Sequence, residues 1–204
     1  MTVVEPIAPV TNGGAPDIEF EEPYGVILTA QGVSPLLFHA WNNEAVLEKA
    51  RARKNSKAKK TDNIESYVYR CEDGTLGIPG PNLHASVQQA AKFRQDPRSP
   101  RKSAFDLYKA AVTPMTEIAS LGVEPWDYID RRRVMVQRAG ITRERPAMRA
   151  GWEATFEFAV TLPEYVRPID FHDILNLAGR VIGLLDFRPT YGRFNITRFE
   201  VVTF

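Results

Sequence analysis

From Trp152 to Phe158 the side chains alternate without a break: Trp152, Ala154, Phe156 and Phe158 are apolar, as is Val160 in the same phase, and Glu153, Thr155 and Glu157 between them are polar. Successive residues of a strand point to opposite faces, so this stretch fits a β-sheet covered on one side and solvated on the other. Such a sheet needs a covering layer, and two amphipathic segments can supply it. After Pro81, the residues Leu83, Val87, Ala90 and Ala91 recur at helical spacing, and proline suits a first helical turn because its missing N–H would be unpaired there anyway. Near the C-terminus Asp170 is placed to cap a helix over Phe171–Ile182, whose stripe of Ile174, Leu175, Ala178, Val181 and Ile182 stops at Gly183.

Further strands are expected at Tyr24–Ala30, at Ser66–Cys71, at Tyr128–Arg138 and from Gly192 to Phe204. In the last, the apolar phase shifts from Phe194 and Ile196 to Phe199 and Val201, which predicts a bulge near Arg198. Helices are also expected at Asn42–Lys54 and, more briefly, at Ala104–Val112. With the intervening segments set aside, the order is strand, helix, strand, strand, helix, strand. That is an α+β chain with a ferredoxin-like (RRM-like) βαββαβ core, helices on one sheet face and the other face open.

The 204 residues then divide into an extended or disordered arm over 1–22 and a single domain over 23–204, with insertions at about 33–65 and 95–125. The arm is rich in proline and glycine, and its only charges are the acids Glu5, Asp17, Glu19, Glu21 and Glu22. Its acidity offsets basic segments elsewhere, so the formal charge of +1 says little about any one surface. The lone Cys71 excludes an internal disulfide and a multi-cysteine zinc cage, which suits a reducing cytoplasm. No stretch has the length and apolarity of a membrane span, and the start lacks a signal-peptide pattern.

Two motifs fall at matching points of this topology. The segment Ile78-Pro-Gly-Pro-Asn-Leu-His resembles the I-P-G-S-S-L-K-G junction leading into the first helix of the RAMP superfamily, the RNA-binding subunits of CRISPR effector complexes, and of their backbone subunits in particular. The segment Gly183-Leu-Leu-Asp-Phe-Arg-Pro-Thr-Tyr-Gly-Arg-Phe resembles that family's glycine-rich loop before the last strand. Pro81 and Asn82 stand where the family has small hydroxyl residues, His84 replaces a basic residue, and Gly183 and Gly192 are fewer glycines than close relatives carry. The chain is also similar to small proteins encoded by phages and prophages, for which the expected location is the host cytoplasm. The resemblance implies RNA-backbone contact by the loop, a β-hairpin thumb that clamps nucleic acid, and head-to-tail assembly along a guide RNA.

Four sets of residues could carry such binding. Arg188, Tyr191 and Arg193 lie on the loop and, with Asn82 and His84 at the helix start, could share phosphates with the helix N–H groups, although Asp186 beside Arg188 invites a local ion pair. A projecting hairpin loop over Ala139–Gly151 offers Arg143, Arg145 and Arg149, with Ile141 and Met148 as apolar tip residues. Arg131 and Arg133 are expected on the open sheet face, opposite Glu153 and Glu157 of a neighbouring strand. Lys57, Lys59 and Lys60 belong to the run Lys49–Lys60, where seven of twelve residues are basic, as in a solvated loop.

The histidines His39, His84 and His172 are scattered, and neither a phosphate loop, a dinucleotide fingerprint nor a zinc spacing is present. No cofactor or metal is therefore expected. The leading function is non-catalytic binding of single-stranded nucleic acid through its phosphates, RNA ahead of DNA, with self-association or a multi-subunit complex as further partner and no membrane. Two alternatives stay open: a phage-encoded protein-interaction or structural protein that mimics a CRISPR backbone subunit, and a metal-independent ribonuclease using His84 or His39. Target-cleaving backbone subunits of the resembled family use a loop aspartate, a place that Asp62 or Asp73 could take here.

Overall fold

The computed structural model of the chain describes residues 21–40, 51, 64–136 and 139–203. The expected arm up to residue 20, the helix over Asn42–Lys54 apart from Arg51, and Lys57, Lys59 and Lys60 lie outside the described residues. In chain order the elements are β1 (Tyr24–Gly32), β2 (Leu36–Leu37), β3 (Gly77–Pro79), α1 (Gly80–Ala91), β4 (Gln95–Asp96), β5 (Ser99–Ser103), α2 (Phe105–Ala111), β6 (Val112–Pro114), β7 (Ile118–Ser120), β8 (Tyr128–Val136), β9 (Ala139–Met148), β10 (Glu153–Val160), α3 (Pro168–Val181) and β11 (Phe194–Thr203). The described residues thus form a mixed α/β fold with three α-helices and several antiparallel sheets. None of these helices is long and apolar enough to cross a membrane.

The alternation read in the sequence organises the core. On β10 the residues Ala154, Phe156, Phe158 and Val160 are buried and Glu153, Thr155 and Glu157 exposed. Strand β1 pairs with it antiparallel, setting Val26 opposite Phe158 and Leu28 opposite Phe156. The four-stranded sheet runs β11-β1-β10-β6, and every neighbouring pair is antiparallel. Leu83 and Val87 of α1 and Phe171, Ile174 and Leu175 of α3 join the buried sheet face in one apolar cluster. Phe171 meets Phe158 at 5.7 Å and Phe199 at 6.2 Å, both edge to face, and such pairs add roughly 0.5–1.5 kcal/mol each beyond the area they bury. The opposite sheet face is polar, with Thr29 bonded to Thr155 at 3.0 Å and Gln31 to Glu153 at 2.7 Å.

The register of β11 on β1 shifts between Thr29 and Ala30, which face Arg198 and Ile196 and leave Thr197 as the extra residue. The bulge predicted near Arg198 is there. Other expectations need correction. Helix α3 starts three residues early, at Pro168, with Arg167 as its uncapped N-cap; Asp170 lies inside the first turn and pairs with Arg167 at 2.8 Å. Ser66–Cys71 is not a strand, since Ile64–Tyr67 forms a 3-10 turn and Arg70 makes an isolated bridge to Leu76. The edge strand of the main sheet beside β10 is β6, inside the segment expected as an insertion, and β8 does not join that sheet at all. Instead β8 pairs along its length with β9, so the expected projecting loop over Ala139–Gly151 is in its first ten residues the return strand of a hairpin. Strand β2 adds to β9 and ties this second sheet, β2-β9-β8, to the domain.

Candidate nucleic-acid interface

One end of the main sheet gathers the C-terminal end of β1 and the N-terminal ends of β10 and β11, since Gln31 faces Glu153 and Gly32 faces Phe194. The segment Gly183–Gly192, between α3 and β11, closes over this end. Its shape is set by the backbone: Leu184 N–H donates to the Gly192 carbonyl at 2.9 Å, Gly192 N–H to that of Pro35 at 2.8 Å and Asp186 N–H to that of Leu37 at 3.1 Å. Leu185 N–H donates to Asn82 Oδ1 at 2.9 Å, which joins the loop to the first turn of α1. A cavity of about 110 Å³ at this junction is lined by His39, Tyr69, Asn82, Leu185 and Asp186.

The β8–β9 hairpin packs against the loop through a face lined with charge. Cross-strand partners share a face, so Arg132 lies with Arg143, and Asp130 with Arg145. Arg145 is buried, and its Nε donates to Asp186 Oδ2 at 2.5 Å. The Asp130 carboxylate holds Arg132 Nε at 2.8 Å, and the Arg132 guanidinium lies 4.5 Å from the Tyr191 ring centre and 5.4 Å from that of Phe187. Arg143 donates to His39 Nε2 at 2.8 Å, which makes that nitrogen the unprotonated one. Thus Asp186 does not pair locally with Arg188; it reaches an arginine 41 residues earlier in the chain.

The candidates separate into anchors and free cations. Arg145 and Arg143 face inward and position the loop and His39, whereas Arg188, Arg193, Arg133 and Arg149 are exposed. No hydrogen bond or ion pair to another described residue engages the Arg188 or Arg193 guanidinium. The Arg193 backbone is pinned to the turn between β1 and β2, its N–H donating to Ser34 Oγ at 2.9 Å. Arg131 and Arg133 are on the outer face of the hairpin, not on the open sheet face opposite Glu153 and Glu157, because β8 pairs with β9; Arg131 bonds Glu144 at 2.7 Å. Met148 is buried against β2 and is no tip residue. Arg149 lies with its guanidinium 5.9 Å from the Tyr128 ring. Sequence reasoning missed Asp130, Arg132 and Phe187; the signal was Asp130-Arg131-Arg132-Arg133, which puts charge on both faces of one strand.

These elements now stand beside a known architecture. The fold is similar to that of a type III-B Cmr-beta subunit. The match is to the cryo-EM structure of type III-B Cmr-beta bound to cognate target RNA, with a TM-score of 0.51 and 10% sequence identity over 89% of this chain. The chain spans 61% of the length of that Cmr subunit. No protein-family model matches the sequence, and no curated protein matches it. At this identity the likeness to the Cmr subunit is one of fold.

The groups that a nuclease would use are placed otherwise. His84 turns to α2, where its Nε2 donates to the Tyr108 carbonyl at 3.3 Å, so it does not join Asn82 at the loop. Asp73 is turned into its own loop, accepting from the Thr75 N–H at 3.0 Å and hydroxyl at 2.6 Å; Asp62 lies outside the described residues. Among the described residues no group of three His, Cys, Asp or Glu side chains is placed to hold a metal ion.

Burial pushes the pKa of both His84 and His172 below the ordinary histidine value. A depressed folded-state pKa means that the unfolded chain takes up the proton first. The stability these residues allow is therefore complete above about pH 6.5 and falls as the pH drops through the folded-state value. Urea midpoints are expected to fall from pH 7 to pH 5, and His84→Gln, which keeps a donor for Tyr108, is expected to flatten that fall. An unchanged pH dependence in the variant would show that His84 is hydrated in the fold.

Proposed function

We propose that this chain is a RAMP-like protein that binds single-stranded nucleic acid through its phosphates, RNA ahead of DNA, without cutting it. The observation that carries the reading is the clamp between two basic elements: Arg145 of the hairpin holds Asp186 of the loop, and next to that clamp Arg188 and Arg193 stand exposed. A cation fixed on a rigid frame and still hydrated can exchange its counterions for phosphates at little ordering cost, and release of those counterions drives association. The open sheet face supports the same reading by exclusion. Its residues Thr29, Gln31, Glu153, Thr155 and Glu157 offer neither aromatic rings nor net positive charge, so contact falls to the loop end.

The order β11-β1-β10-β6 supports a ferredoxin-like core in which β1, α1, β6, β10, α3 and β11 are the six successive units. A likeness to a subunit of an RNA-bound complex favours RNA as the ligand.

The test is fluorescence anisotropy of labelled RNA and DNA single strands of equal length, titrated at several salt concentrations. For the native chain the affinity is expected to fall as salt rises. Arg188→Ala/Arg193→Ala is expected to weaken binding and to reduce the slope of log K against log salt by about 1.4, the share of two phosphate contacts on a single strand. A folded variant with the native affinity and slope would place the phosphate contacts elsewhere.

A further inference from the structure

Phosphate contact leaves one residue of the loop without a role. Phe187 has φ of +61°, in the left-handed region that side chains other than glycine enter at a cost of about 1–2 kcal/mol. Leu185 shares the feature at +55°, but its side chain is 8% exposed and its burial offsets the strain. Phe187 has no such compensation, because 40% of its surface faces solvent.

The ring is nevertheless held. The guanidinium carbons of Arg132 and Arg145 lie 5.4 and 5.5 Å from its centre, and Tyr191 meets it at 78° and 6.0 Å. Each arginine is in turn fixed by a carboxylate, Arg132 by Asp130 and Arg145 by Asp186. A ring serving as an apolar anchor would be buried; this one has two immobilised guanidinium groups over it and still keeps 40% of its surface in solvent, with the exposed Arg188 next to it in the chain.

We propose that Phe187 is a stacking platform for one unpaired nucleobase, with Arg188 on an adjoining phosphate. The inference rests on the nucleic-acid reading above and adds to it a contact with the base. Every base has a flat π face, so the platform accepts bases with little regard to sequence, but a duplex hides those faces within its own stack.

The experiment compares a base-bearing single strand with an abasic strand carrying the same number of phosphates, for the native chain, Phe187→Ala and Phe187→Trp, each checked for a native-like unfolding midpoint. The native chain is expected to prefer the base-bearing strand by roughly tenfold, within the range of one stacked base. Phe187→Ala is expected to lose that preference while keeping its affinity for the abasic strand, and Phe187→Trp to retain the preference. Equal native affinity for both strands overturns the platform and leaves phosphate binding standing. Equal loss on both strands in Phe187→Ala also overturns it, by making the ring a support for the loop. Failure of the native chain to bind either strand overturns the nucleic-acid reading and the platform with it.

Discussion

Asp186→Ala is expected to lower the unfolding free energy by about 3 kcal/mol, well beyond the cost of Arg145→Met, although both remove the same ion pair. The asymmetry follows from burial. The Arg145 side chain is 6% exposed and that of Asp186 31%. Deleting the carboxylate strands a charged guanidinium out of water, and its Nη1 already lacks a hydrogen-bond partner among the described residues. Deleting the guanidinium leaves a carboxylate that solvent can reach, and methionine fills much of the vacated volume, so its cost is expected to be about 1 kcal/mol. Urea denaturation of both variants at pH 7 decides it. Equal costs, or the reverse order, would mean that water reaches Arg145 and that the hairpin is not clamped to the loop.

Gly192→Ala is expected to cost about 3 kcal/mol or more. Two penalties add there: φ is +72°, and an added Cβ would lie 2.0 Å from the Leu184 carbonyl oxygen and 2.7 Å from its nitrogen. The first contributes about 1–2 kcal/mol. The second is overpacking against backbone that is itself hydrogen-bonded to Gly192, and contributes about 1–3 kcal/mol. Gly74→Ala is the control, since φ is +86° there but nothing lies within 4 Å of the added atom, and a loss of about 1 kcal/mol is expected. If the two substitutions cost the same, the tight closure of the loop on itself is wrong. If Gly192→Ala costs more and also weakens oligonucleotide binding, the closed loop is the binding form.

The main sheet was legible because its period is local. Alternation over Trp152–Val160 and the phase slip near Arg198 both come from side chains a few residues apart, and both hold in the structure. Strand β6 was illegible for the converse reason: three residues are too few to show any period, and their place beside β10 is set by contacts with residues about 45 positions away. Strand β9 misled in another way. Arg143, Arg145 and Pro146 between flanking glycines read as a projecting hairpin loop, since arginine is rarely buried unless paired. The partners that permit it, Asp186 and His39, come from distant segments. The contact of Arg132 with Phe187, likewise long-range, hid both, and with them Arg132's local partner Asp130, from the candidate site, while leaving Arg188 and Arg193, whose exposure needs no partner, in plain view.

The fastening of the Gly183–Gly192 loop by main-chain hydrogen bonds has a consequence for how the chain can change. The bonds from Leu184, Asp186 and Gly192 use no side chain of the loop tip, so Arg188 and Thr190 are exposed positions on a frame that does not depend on them. Substitutions there are nearly neutral for folding, and selection on ligand preference can act at the tip without first being filtered for stability. A randomised library confined to positions 188 and 190 should therefore yield mostly folded variants, and the contact proposed for the tip could be retuned in single steps.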